Sequence, residues 1–179
     1  MKIKKLFIFV AIFLAAVVSS QAQNAPDQTK DLDSLYAQKL LKPGTVAPDF
    51  ILPMMNNYKV QLSEFKGKYV LLDFWATWCP DCRKDIPAVK ELYEKYGSKV
   101  EFIGVSFDVD HNRWTKYVVD NGMRWRQVSE LKKMRDAEIS KAYGVEWIPS
   151  MTLIGPDGKV VLSTVVLERM AKALADIAK

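Results

Sequence analysis

Apolar and polar positions divide the chain into a short apolar start, a polar stretch and a longer region of alternating apolar runs and amphipathic segments. Residues 69–75 and 100–107 are apolar, β-forming runs without strict alternation. This pattern is typical of parallel strands that are covered on both faces. We therefore expect both runs to lie in the centre of a sheet.

Helices are predicted between and after these strands, and turn residues between shorter apolar runs predict two hairpins. The predicted helices cover residues 31–41, 80–96, 113–120, 137–143 and 167–177, and the further strands cover 50–52, 58–62, 125–129, 150–154 and 159–164. A βαβ unit followed by a terminal ββα unit predicts an α/β fold, a central mixed β-sheet flanked by helices.

The first residues have the pattern of an export signal. Lys2, Lys4 and Lys5 precede an apolar run of 13 residues, and Ala22 follows in a stretch of small residues. The run is shorter than the roughly 20 residues of a membrane span. We predict a signal peptide over 1–22, cleaved after Ala22, and a periplasmic protein. The alternative is an uncleaved segment that anchors the chain to a membrane.

The rest of the chain has the length of one domain. Residues 23–41 are predicted to form an N-terminal segment with a short helix, and residues 42–179 the domain itself. Removal of residues 1–22 takes away three lysines, so the formal net charge falls from +5 to +2. A nearly balanced surface argues against nucleic acid as a partner.

The two cysteines form one unit, Cys79-Pro80-Asp81-Cys82, which follows a predicted strand and opens a predicted helix. A bridge across two residues closes almost no loop, so it stabilises the fold little. A zinc site needs four ligands, and the chain has a single histidine, His111. A helix N-terminus stabilises a thiolate, so we interpret the pair as redox chemistry rather than as a structural disulfide.

The segment Asp73–Cys82, with the sequence DFWATWCPDC, resembles the active-site segment of the thioredoxin-like family, and Ile148-Pro149 resembles its cis-proline. Residues 44–50, GTVAPDF, are similar to the opening of the extracytoplasmic branch of TlpA/ResA-type thiol–disulfide oxidoreductases. Those reductases act on exported cysteines and on cytochrome c maturation. The resemblance covers about residues 42–179. It implies a thioredoxin-like fold with an N-terminal β-hairpin extension and a central insert around 108–135.

The resemblance also implies roles for three residues of the motif region. Cys79 takes the role of the attacking nucleophile, and Cys82 the role of the resolving thiol that breaks the mixed disulfide. Asp73 matches the buried acid beneath the cysteines, where a carboxyl group with a raised pKa can relay a proton to or from Cys82. The alternative is that Asp73 is a hydrogen-bonded strand residue without a catalytic role.

Further residues are implied to bind substrate. Pro149 would position it, and the backbone of Ile148 would pair with an extended polypeptide by strand addition. Trp78 is a candidate groove wall, and Pro80 is a further candidate contact within the motif. Trp147 either contacts substrate or packs against the protein.

The function expected is exchange of the Cys79–Cys82 dithiol with protein thiols and disulfides, with a membrane electron donor, no cofactor and no metal. Asp81 places a like charge near the thiolate, which favours a reductant over a strong oxidant. Asp81 occupies the second slot of the motif, where the haem-pathway reductases often carry Glu, and this weakens the case for apocytochrome c.

Two alternatives come from other classes. A peroxiredoxin-like peroxidase shares the Ala47-Pro48-Asp49-Phe50 opening, but Ala76 stands where its Thr is expected, three residues before the reactive cysteine. A metal-delivery module of the same fold usually has three residues between its cysteines and an added histidine, whereas two residues separate Cys79 from Cys82.

Overall fold

The apolar run Tyr69–Trp75 is the central strand of a five-stranded sheet. The computed structural model describes residues 29–179, so the predicted signal peptide 1–22 lies outside the described residues. The elements follow in the order α1 (Thr29–Tyr36), β1 (Ile51–Pro53), β2 (Lys59–Gln61), β3 (Tyr69–Trp75), α2 (Pro80–Tyr96), β4 (Val100–Ser106), α3 (His111–Asp120), β5 (Arg126–Ser129), α4 (Glu138–Tyr143), β6 (Ser150–Ile154), β7 (Val160–Thr164) and α5 (Leu167–Ile177).

The sheet is mixed, with the strand order β5-β4-β3-β6-β7. The strands β3, β4 and β5 are parallel, whereas β6 and β7 are antiparallel to their neighbours. All residues of β3 after Tyr69 are buried, as expected for a strand covered on both faces. The thioredoxin-like α/β fold predicted from the sequence is confirmed. Within residues 29–179, no helix combines the length and the apolarity that a membrane span needs.

Successive side chains of β3 point to opposite faces of the sheet. The Trp75 ring contacts Tyr117 of α3, with ring centroids 5.8 Å apart, and the Phe74 ring contacts Tyr143 of α4 at 5.7 Å. The right-handed connections through α2 and α3 advance across the sheet in one direction, so both helices cover the same face. Asp73, two residues before Trp75, therefore points to the face that α2 and α3 cover.

The predicted insert around 108–135 is built into the sheet. It contains α3 and β5, and β5 pairs in parallel with β4 to form one edge of the sheet. The side chain of Gln127 in β5 is fully buried and accepts a hydrogen bond from Trp75 Nε1 at 3.0 Å. The insert thus contacts the strand that leads into the cysteine motif.

The predicted N-terminal hairpin forms a separate two-stranded sheet, with Ile51 opposite Gln61. Its turn contains Asn57, whose φ of 65° lies in the left-handed region that Asn adopts more readily than most residues. An isolated bridge joins Met54 to Val128 of β5. The hairpin is therefore attached to the edge that the insert provides.

The predicted helix over 31–41 is wrong at its C-terminal end, because α1 ends at Tyr36. Beyond it the chain turns, and the N–H of Leu41 donates to the carbonyl of Tyr143 at the end of α4. This arrangement buries Ala37 and Leu40, whereas a continued helix would not follow the surface of α4. Tertiary contacts thus override the helical spacing of the leucines.

Substitution of Gly144 is expected to destabilise the fold more than substitution of any unhindered glycine with positive φ. Gly144 ends α4 with φ of 68°, and a Cβ there would lie 1.9 Å from the backbone oxygen of Lys39. We expect Gly144→Ala to lower the free energy of unfolding by at least about 3 kcal/mol in urea denaturation.

Gly158→Ala is the matched control for that substitution. Gly158 has φ of 77° and no heavy atom within 4 Å of an added Cβ, so it isolates the backbone strain. We expect a loss of about 1 kcal/mol. Equal losses in the two variants would show that the contact between Gly144 and Lys39 does not constrain the chain.

Candidate active site

The cysteine motif lies where β3 ends and α2 begins. Cys79 is the N-cap residue of α2 and Pro80 is its first helical residue, a position where the missing N–H of proline costs no helical hydrogen bond. Cys79 and Cys82 form a disulfide, with their Cα atoms 5.3 Å apart. The strand, the motif and the helix thus follow each other as the sequence predicted.

The first turn of α2 directs hydrogen-bond donors at Cys79. The backbone N–H of Cys82 donates to Cys79 Sγ at 3.1 Å. This N–H group and the helix dipole both stabilise negative charge on that sulfur once the disulfide opens. Cys79 therefore has the surroundings of an activated nucleophile.

Both sulfur atoms are shielded in the disulfide form. Cys79 is 4% exposed and Cys82 is 3% exposed. The cis-proline loop accounts for part of this shielding, because the carbonyl oxygen of Ile148 lies 3.7 Å from Cys79 Sγ. The cis-proline loop therefore forms part of the immediate surroundings of Cys79.

The Ile148-Pro149 peptide bond is cis, as the resemblance implied. Ile148 is buried and Pro149 is partly exposed. The structure thus brings together Cys79, Cys82, Ile148 and Pro149, which are up to 70 positions apart in the sequence.

A groove of about 820 Å³ runs beside the motif, between α1, the start of α2, the cis-proline loop and residues 165–168. Asp81, Trp147 and Pro149 line it. Trp78 is exposed next to Cys79 but lies outside the lining of this groove, and so does the exposed Pro80. The aromatic wall of the groove is Trp147, for which the sequence left contact and packing equally open.

Asp73 is buried in β3, with 5% of its surface exposed. Burial in the apolar interior raises the pKa of its carboxyl group to about 7, and the charge of Asp85 adds to the shift. None of residues 29–179 makes a hydrogen bond to this carboxyl group.

Asp108 is a residue of the site that the sequence analysis did not single out. The Asp108 carboxylate is buried and accepts hydrogen bonds from Thr77 N at 2.9 Å and from Thr77 Oγ1 at 2.6 Å. It also accepts one from Ser106 Oγ at 2.8 Å. The residue that caps α3 is Asp110, which accepts from the N–H of Arg113. Asp108 thus holds the loop that leads to Cys79.

A signal for Asp108 was present in the sequence. Parallel neighbouring strands end at the same edge of a sheet, so a polar residue just after the run 100–107 lies close to the residues that follow 69–75. An acidic residue in that position is expected to bind backbone or side-chain donors of the motif loop.

Comparison with known proteins agrees with this geometry. Residues 43–163 match the AhpC/TSA family. The thiol-disulfide oxidoreductase ResA of Oceanobacillus iheyensis is 32% identical over 185 residues, which cover 96% of this chain and 89% of the relative. The ResA protein of Bacillus thuringiensis subsp. konkukian is 35% identical over 125 residues, 69% of this chain and 70% of the relative.

A solved structure gives the same result for the fold. The thioredoxin domain of a thiol-disulfide oxidoreductase from Bacteroides vulgatus superposes with a TM-score of 0.70 at 29% identity. The match covers 78% of this chain and 99% of that one. The chain is thus a thiol–disulfide oxidoreductase, and it belongs to the AhpC/TSA family of thioredoxin-like proteins.

Proposed function

We propose that this protein reduces disulfides of exported polypeptides, with Cys79 as the attacking thiolate and Cys82 as the resolving thiol. The observation that carries the proposal is the Cys79–Cys82 disulfide at the start of α2, beside the cis Ile148-Pro149 bond. A redox-active pair at a helix N-terminus has a stabilised thiolate, and the neighbouring loop supplies the surface for a polypeptide.

The reaction is a pair of thiol–disulfide exchanges. The Cys79 thiolate attacks one sulfur of a substrate disulfide, a mixed disulfide forms, and the other substrate sulfur leaves as a thiolate. The Cys82 thiolate then attacks Cys79 Sγ, which closes the Cys79–Cys82 disulfide and releases the second substrate thiol. Two electrons pass from the protein to the substrate, and an electron donor in the membrane restores the dithiol.

Asp73 takes the proton that Cys82 must lose before it attacks. Its carboxyl group has a pKa of about 7 because it is buried, so near neutral pH it exists in both the protonated and the ionised form. A general base works best when its pKa lies near the working pH. Asp73 also points to the face of the sheet that α2 covers, and Cys82 lies in the first turn of that helix.

Substrate recognition follows from the cis-proline loop. The Ile148 backbone, whose carbonyl lies beside Cys79 Sγ, pairs with an extended segment of substrate. Pro149 keeps this segment in register with the disulfide. The exposed Trp78 and Pro80 flank Cys79 in the chain and contact the substrate on the outer side of the motif.

The direction of electron flow and the location of the protein in the cell complete the proposal. Asp81 in the first turn of α2 opposes negative charge on Cys79, so the thiolate is moderately stabilised and the protein is a reductant. Residues 1–22 export the chain as a cleaved signal peptide, and it works in the periplasm. If the segment is retained, the protein works at the membrane surface.

Peroxide reduction is the second candidate, because the AhpC/TSA match covers the motif. The residue three positions before Cys79 is Ala76, which has no hydroxyl group. Thr77 has one, but its Oγ1 donates to Asp108 at 2.6 Å. Disulfide exchange is favoured because Cys82 stands ready to resolve a mixed disulfide within the same turn of helix.

Metal delivery is the third candidate. Among residues 29–179, no group of three or more His, Cys, Asp and Glu side chains is placed to hold a metal ion. The metal content of the reduced protein, measured after incubation with copper or zinc and desalting, tests whether the protein delivers metal.

Burial of Asp73 predicts a pH-dependent stability. The unfolded carboxyl group loses its proton near pH 3.8 and the folded one near pH 7, so the wild type loses stability as the pH rises between these values. Asp73→Asn cannot ionise and escapes this loss. We expect the variant to gain up to about 4 kcal/mol over the wild type between pH 4 and pH 8, measured by denaturation of the disulfide form.

Asp176→Asn serves as the control for that series. The pKa of Asp176 lies below its usual value because Lys179 donates a hydrogen bond to its carboxylate. Its effect should therefore be constant above about pH 5. A flat difference between Asp73→Asn and the wild type would contradict a raised pKa at Asp73.

The two cysteines should fail in different ways. The protein without its predicted signal peptide, residues 23–179, should reduce insulin disulfides when it is in the dithiol form. Cys79→Ser should abolish this reaction because the nucleophile is lost. Cys82→Ser should still attack but should accumulate a mixed disulfide with insulin, visible on a non-reducing gel. Retention of insulin reduction in Cys79→Ser would refute the mechanism. Peroxide consumption at a comparable rate in the same preparations would favour the peroxidase.

The direction of electron flow predicts the reduction potential of the Cys79–Cys82 pair. If the protein is a reductant, equilibration with glutathione or dithiothreitol buffers should give the pair a reduction potential of about −270 mV, the value of thioredoxin. A value near about −120 mV belongs to strong oxidants and would reverse the proposed direction. Fluorescence of the exposed Trp78, or alkylation followed by mass spectrometry, can follow the redox state.

A further inference from the structure

The groove beside the disulfide has walls that the exchange reaction itself does not use. Asp81 and Pro149 lie at its end nearest the cysteines, and α1 and residues 165–168 extend it away from them. A polypeptide whose cysteine is bonded to Cys79 must place its neighbouring residues close to this groove. The chemistry of the groove therefore bears on which substrates react.

One wall of the groove is aromatic. Tyr36 of α1 stacks on Trp147, with ring centroids 4.2 Å apart and an interplanar angle of 22°. Tyr36 and Trp147 remain 37% and 41% exposed. An exposed aromatic pair offers apolar surface and ring faces that attract cations.

The aromatic wall is held in place by the partly buried Asp33. The Asp33 carboxylate accepts hydrogen bonds from Thr164 Oγ1 and from Val165 N, each at 2.8 Å, and pairs with Arg169. These contacts fasten α1 to the end of β7 and to the start of α5. The position of Tyr36 is therefore set by the fold.

A second group of lining residues is acidic. Asp81, Asp85 and Glu168 line the groove, and so does the basic Lys84. Lys84 is paired with Asp81 at 3.1 Å. Asp85 is half-buried, and its pKa is raised by burial first and then by the charges of Glu168 and Asp81. A positive charge in the groove would relieve this repulsion.

We infer that this groove binds the residues beside the target cysteine and selects unfolded polypeptides that carry a basic and an apolar side chain there. The aliphatic stem of a lysine or arginine packs on the Tyr36–Trp147 pair while its charged end reaches Asp85 and Glu168. An apolar neighbour covers the remaining aromatic surface. This inference rests on the proposed exchange reaction and adds the substrate class to it.

Matched peptides test this selectivity. Each peptide has blocked ends and one cysteine joined by a disulfide to 2-mercaptoethanol. The first carries Lys and Leu on both sides of the cysteine, the second replaces Lys with Glu, and the third replaces Leu with Ser. The reduced protein attacks each disulfide in a single turnover, and an acid quench with mass spectrometry gives the second-order rate constant.

We expect the Lys peptide to react at least about tenfold faster than the Glu peptide at low salt, because the acidic side of the groove attracts it. In 1 M salt the Debye length falls to about 3 Å, so the ratio should fall below about twofold. The first peptide, which carries Leu, should react about fivefold faster than the third, which carries Ser in its place. Salt should not lower that Leu-to-Ser ratio.

Variants of the groove residues test which side chains cause the preference for Lys and which cause the preference for Leu. Glu168→Gln combined with Asp85→Asn should bring the Lys-to-Glu ratio close to one, whereas Glu94→Gln, exposed near the other end of α2, should leave the ratio unchanged. Tyr36→Ala should reduce the Leu-to-Ser ratio. Leu35→Ala removes an exposed side chain from the same helix outside the groove and should not change it.

The outcomes separate this inference from the proposed function. If none of the three peptides is reduced and insulin is not reduced either, the exchange function itself fails. If all three are reduced at equal rates, the exchange function stands and the groove does not select substrates. The inference would also be overturned if the Lys-to-Glu ratio persists in the Glu168→Gln, Asp85→Asn variant and the Leu-to-Ser ratio persists in Tyr36→Ala. The preference would then arise elsewhere in the protein.

Discussion

The hydrogen bond from Cys82 N to Cys79 Sγ is the contact on which the rest of the site depends. It exists because Cys79 caps α2 and because α2 begins at the carboxyl end of the central strand. The loop between strand and helix is held from the neighbouring parallel strand, where Asp108 binds both the N–H and the hydroxyl group of Thr77. The sulfur therefore meets the helix N-terminus in a position that two strands and one helix define.

Burial of Asp73 lowers the stability of the folded state. A carboxyl group inside the apolar strand β3 destabilises the folded state whenever it ionises, and its pKa rises to about 7 for that reason. The same shift makes the group useful near neutral pH, where it can take up and release a proton. In the proposed mechanism, stability and exchange chemistry thus place opposite demands on Asp73, a relation found at many active sites.

Elements outside the central βαβ unit shape the surroundings of the disulfide. The edge strand β5 reaches Trp75 through Gln127, and α1 is fastened by Asp33 so that Tyr36 stacks on Trp147. Of these two elements, α1 lines the groove beside the disulfide, together with Trp147 and the acidic residues Asp81, Asp85 and Glu168.

The sequence by itself determined the central strand, the helix that follows the motif and the terminal ββα unit, because burial and helix capping leave local signals in residue type and spacing. It also identified Cys79 and Cys82, since two cysteines at a helix start are chemically conspicuous. The true end of α1, the anchoring by Asp108 and the pairing of Tyr36 with Trp147 were decided by the tertiary structure. Each of these depends on contacts between residues at least 31 positions apart, which the hydrophobic and capping pattern of a single segment does not record.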